Sequence, residues 1–83
     1  MRMAAIEPLT EHLTDAQAET FRIFRERLNR RSPKCRIRAV EPLQDNAIRV
    51  WLDDVDLTYH RVRTACKLAV EVEEETGIFI VLR

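Results

Sequence analysis

The chain has 83 residues and a mass of 9.8 kDa, with 14 basic and 14 acidic side chains, no formal net charge and 46 % hydrophobic residues. That is one small domain over residues 1–83, too apolar and too balanced in charge for wholesale disorder, and without the apolar run of roughly 18–20 residues that spans a bilayer. One glycine excludes Gly-rich phosphate loops and GXXG nucleic-acid clamps, and Glu7 and Glu11 interrupt any export signal, so a cytoplasmic location is the expectation.

Residues 1–12, with Pro8, read as an irregular lead-in. Thr14 and Gln17 have the S/T-x-x-Q spacing of a capping box, in which each side chain satisfies the other's backbone N–H. A helix is predicted from there to about Asn29. Ala18, Phe21, Phe24 and Leu28 make its apolar stripe, while Glu19, Arg22, Glu26 and Arg30 lie away from it. Ile23 falls off the stripe and is expected at the surface. Ser32-Pro33 closes the helix.

From Lys34 the period drops to two. Cys35, Ile37 and Ala39 point one way and Arg36, Arg38 and Val40 the other; Ile48, Val50 and Leu52 alternate with Ala47, Arg49, Trp51 and Asp53. An antiparallel hairpin joined by a six-residue loop sets Val40 opposite Ala47, Arg38 opposite Arg49 and Arg36 opposite Trp51.

Asp54 or Asp56 is the expected cap of a second helix over about Leu57–Thr76, with Val62, Ala65, Leu68, Ala69 and Val72 facing inward and Cys66 at the margin. Gly77 is placed as its left-handed stop. The chain then closes on Ile78-Phe79-Ile80-Val81-Leu82, a strand apolar on both sides, which a helical crossover makes parallel to the second strand. The predicted fold class is α+β: a two-layer α-β-β-α-β domain, with a three-stranded mixed sheet and both helices on one face.

Charge is balanced overall but not locally. Residues 22–38 hold eight basic side chains against Glu26 alone. One reading is a nucleic-acid surface in which Arg36, Arg38 and Arg49 contact phosphates and Trp51 stacks on bases. The other is pairing with carboxylates of the same fold or of a second subunit. The run Glu71, Glu73, Glu74, Glu75 sits at a helix C-terminus, where negative charge opposes the helix dipole, and it supplies such carboxylates.

The final strand gives the more specific expectation. Helices on one side of a sheet leave the other side uncovered, so Val40, Trp51, Phe79 and Val81 are expected to form an apolar protein interface. Self-association or another protein would bury it, and strand addition at a sheet edge is a further route. Asp53, Asp54, Asp56 and His60, with Tyr59 nearby, suggest helix capping more than a metal or catalytic site. Cys35 and Cys66 are expected as buried free thiols, a redox or ligand role being the alternative. His60 and Cys66 point to different sides of their helix, and His12 has no partner in the sequence. The sequence therefore points to a homodimeric interaction or adaptor module that binds without catalysing, needs no metal or cofactor and does not enter a membrane. The alternative is a nucleic-acid-binding regulator using Arg36, Arg38, Arg49 and Trp51.

Overall fold

The computed structural model describes residues 12–53 and 58–83. Helix α1 (Asp15–Arg31) starts at the capping box, with both reciprocal Thr14–Gln17 hydrogen bonds formed. Strands β1 (Ile37–Gln44) and β2 (Ala47–Leu52) form the hairpin, followed by helix α2 (Tyr59–Thr76) and strand β3 (Phe79–Leu82). The sheet order is β1-β2-β3, antiparallel between the first pair and parallel between the second, as the crossover through α2 requires.

One core holds this together. Phe21, Phe24 and Leu28 of α1 and Ala65, Leu68, Ala69 and Val72 of α2 pack with Val40, Ile48, Val50 and Ile80 of the sheet, so both helices cover the same face. Burying each of the larger side chains is worth about 1.5–3 kcal/mol. Ile23 also packs against this core rather than standing free of it, and Val62 is only partly buried. Gly77 takes φ 79° at the end of α2, where its N–H donates to the Glu73 carbonyl at 2.8 Å. A side chain there would be strained, which is why the only glycine of the chain stands at this turn.

Three local expectations are corrected. The hairpin turns on Asp45-Asn46 alone, and β1 continues through Pro42 to Gln44. Proline is tolerated there because β1 is an edge strand. Second, the register differs: Val40 faces Val50, Glu41 faces Arg49 and Ala39 faces Trp51, with shifts between Ile37 and Ala39 and between Pro42 and Gln44. The first shift leaves Arg38 as an extra residue and reverses the alternation of β1 beyond it. Val40 thereby enters the core in place of Ala39, a larger apolar side chain at the buried position. Third, α2 is capped by Thr58, whose side chain accepts from the Arg61 N–H at 3.2 Å. Asp54 and Asp56 lie outside the described residues.

Gln17 does more than cap. It is 1 % exposed, and its amide nitrogen donates to the Gln44 carbonyl at 2.6 Å and reaches those of Asp45 and Ala47 at 3.3 and 3.4 Å. One buried side chain thus fastens the start of α1 to the hairpin turn. Gln17→Glu keeps the capping acceptor but puts a carboxylate against these carbonyls. It is expected to cost about 2 kcal/mol or more in denaturant unfolding, whereas a residue that only capped the helix would tolerate glutamate.

Candidate interaction surface

Alternation along β2 and β3 sends Arg49 and Trp51, with Phe79 and Val81, to the face away from the helices, and the register sets Phe79 beside Ala47 and Val81 beside Arg49. Glu41 joins them from β1. One of its oxygens accepts from Arg49 Nη1 and the other from Trp51 Nε1, both at 3.2 Å. The guanidinium groups of Arg49 and Arg83 lie 5.7 and 5.9 Å from the Trp51 ring centroid, within cation–π range. Arg49 Nε is buried without a hydrogen-bond partner. Trp51 is therefore partly buried among side chains of its own sheet, held at its ring and at its indole nitrogen.

The candidate interface divides accordingly. Val40 is not on this face: at 8 % exposure it belongs to the core, because of the extra residue at Arg38. Trp51, Phe79 and Val81 share the outer face, with Phe79 49 % exposed.

The four residues considered for nucleic acid are separated. Arg49 and Trp51 are tied to Glu41, and the like-charge Arg38–Arg49 pairing does not occur. Arg38 is exposed at the shift in β1. Arg36 is exposed beside α1, where it lines an open cleft of about 600 Å³ with Arg22, Arg25 and Glu26. Glu41 and Arg83 are what sequence reasoning missed. Their roles depend on the hairpin register, and no spacing in the chain announces it.

Much of the basic run is paired within the fold. Arg27 makes a two-pronged contact with Glu75, both bonds at 2.7 Å, and Arg31 another with Glu71 at 3.1 and 3.2 Å. Four residues on along α1 match four residues back along α2, so the helices run antiparallel. Arg22 binds Glu19 and Glu26 on its own helix. Hydrogen bonding from Arg27 holds the Glu75 carboxyl below its ordinary value, and Arg22 does the same to Glu19. Among the described residues, no ion pair engages Arg30, Lys34, Arg36 or Arg38, nor Arg63, Lys67, Glu73 or Glu74 on α2.

A second feature lies at the sheet edge. β3 pairs with β2 on one side and with no strand among the described residues on the other. Along that open edge runs a shallow, mainly apolar groove of about 360 Å³, lined by Cys66, Ala69, Val70 and Glu73 of α2 and by Phe79, Ile80, Val81 and Leu82 of β3. Val70 is 54 % exposed. Cys66 is exposed here, contrary to its expected burial, because the helix turns it off the core stripe toward this edge. Cys35 is buried as expected, and desolvation pushes its thiol pKa up, against a smaller opposing effect of the Arg61 charge. A thiol so placed is a poor nucleophile.

His60 and Tyr59 are exposed on the first turn of α2, and His12 is exposed ahead of α1. Among the described residues no three His, Cys, Asp or Glu side chains gather as metal ligands, and no described helix is long and apolar enough to cross a membrane.

The Arg27–Glu75 contact has a definite pH signature. A carboxyl whose pKa is lowered on folding adds stability above its unfolded value, ordinarily 4.5, and that stability is lost as pH falls through the lower folded value. The melting-temperature gap between wild type and Arg27→Ala is therefore expected to be widest near pH ~6 and to narrow toward pH ~3. A gap independent of pH would mean that Arg27 acts by packing alone.

Comparison with known protein families, curated proteins and solved structures finds no significant match.

Proposed function

We propose that this chain is a protein-interaction module that acts by binding, not catalysis, and that it works as a homodimer. The observation that carries this reading is the exposure of Phe79 and Val70 on either side of an apolar groove, along a strand edge that no described strand completes. Unpaired backbone groups beside apolar side chains attract another chain, and a thin single core gains from the extra burial. The Arg49–Glu41–Trp51 cluster, with Arg83, supports the same reading, because it fixes polar and aromatic groups in place on a face that no described helix covers.

A nucleic-acid reading draws support from a different place than the sequence suggests. Arg30, Lys34, Arg36 and Arg38 are all exposed around the α1–β1 connection and have no ion pair among the described residues. Their charge favours phosphate, though Arg49 and Trp51 face elsewhere.

Sedimentation equilibrium over a range of protein and salt concentrations separates the two. The proposed dimer gives about twice 9.8 kDa, persists in high salt and dissociates on Phe79→Asp. A single-copy mass at millimolar concentration would sink it. Mixed RNA or DNA that binds at low salt and is released steeply as salt rises would favour the alternative.

A further inference from the structure

The groove has the chemistry of one occupant in particular. On α2, Val70 and Glu73 line the groove, and the exposed helix face that includes Val70 reads basic, apolar, acidic along the chain: Arg63 and Lys67, then Val70, then Glu74. Lys67 and Glu73 stand three residues to either side of Val70, and all five side chains except the partly buried Glu73 are exposed. The neighbouring acids Glu71 and Glu75 are already used by Arg31 and Arg27 of α1, while these four charges have no ion pair among the described residues. A surface with opposite charges balanced about an apolar centre complements itself under a half-turn.

We infer that the second copy docks here, β3 against β3 and α2 against α2 in antiparallel fashion about a two-fold axis near Val70. This deepens the homodimer reading above and rests on it. The two sheets then join into one of six strands, because antiparallel pairing satisfies the free backbone groups of both β3 edges at once. Val70 of each copy closes the groove of the other on the helix side, and Phe79 is covered on the opposite face of the joined sheet, so the apolar area supplies affinity. Arg63 and Lys67 of one α2 run alongside Glu73 and Glu74 of the other, so charge sets the direction. A parallel arrangement would bring like charges together across the interface, which disfavours it. The symmetry is isologous, with the same patch on both partners, and leaves no charge of either sign in excess.

Two charge variants test this without touching the core. Arg63→Glu with Lys67→Glu makes the stripe wholly acidic, and Glu73→Lys with Glu74→Lys makes it wholly basic. Each variant alone is expected to weaken self-association roughly tenfold or more, and an equimolar mixture to recover it as a heterodimer. As a second readout, Val70→Cys in a Cys66→Ser background places one thiol of each copy at the axis, and mild oxidation is expected to yield a disulfide-linked dimer. If both charge variants dimerise as wild type does and Val70→Cys stays uncrosslinked, the docking geometry is wrong while the homodimer stands on another surface. If wild type itself is a single copy at high concentration, the homodimer reading fails with it.

Discussion

Val40 lies opposite Val50, and the character of both sheet faces depends on that pairing. Two valines in one buried row leave Ala39 and Glu41 for the other side. Glu41 then meets Arg49, and its second oxygen receives the Trp51 indole N–H. Had Ala39 kept the inward place that strict alternation gives it, the core would have lost volume and Arg38 would have stood against Arg49. A single additional residue in an edge strand removes both faults. The cost is a local break in the ladder, which an edge strand bears more easily than a central one.

The zero net charge is likewise organised and not incidental. Basic residues of α1 and acidic residues near the end of α2 meet because the helices run antiparallel across the sheet. Two-pronged arginine–glutamate contacts at Arg27 and Arg31 fix the alignment more than they add stability, since all four groups remain partly exposed to water and its screening. These contacts also resolve the awkward placement of acids at a helix C-terminus. Glu71 and Glu75 answer the arginines of α1, while Glu73 lines the groove on the other side of the helix and Glu74 is exposed.

Periodicity made the architecture legible: the Phe21–Phe24–Leu28 stripe, the Ile48–Val50–Leu52 alternation and Gly77 were enough to place two helices, three strands and a parallel final strand. The Thr14–Gln17 spacing located the start of α1 to the residue. What escaped was everything decided by contacts distant along the chain. Pro42 and the Asp45-Asn46 pair read together as one long loop, because proline usually ends a strand and only its edge position excuses it here. The register error followed, carrying Val40 to the wrong face and hiding Glu41. The exposure of Cys66 has a simpler reason. The residue sits at the margin of the stripe, one residue past the buried Ala65, and whether a marginal position is covered depends on the neighbouring strand, with none pairing beyond β3 among the described residues. The second role of Gln17 was hidden likewise, since its partners lie 27 to 30 residues away.

The two borders of the sheet are unlike in kind. Along β1, Pro42 withholds an N–H, Arg38 and Leu43 stand at its irregularities, and both are exposed. Such a border is a poor template for another strand, whereas that of β3 is regular and lined with apolar side chains. A sheet with two receptive borders could add copies without limit and grow into a fibre. With one blunt side and one receptive side, growth ends as soon as two receptive sides have met.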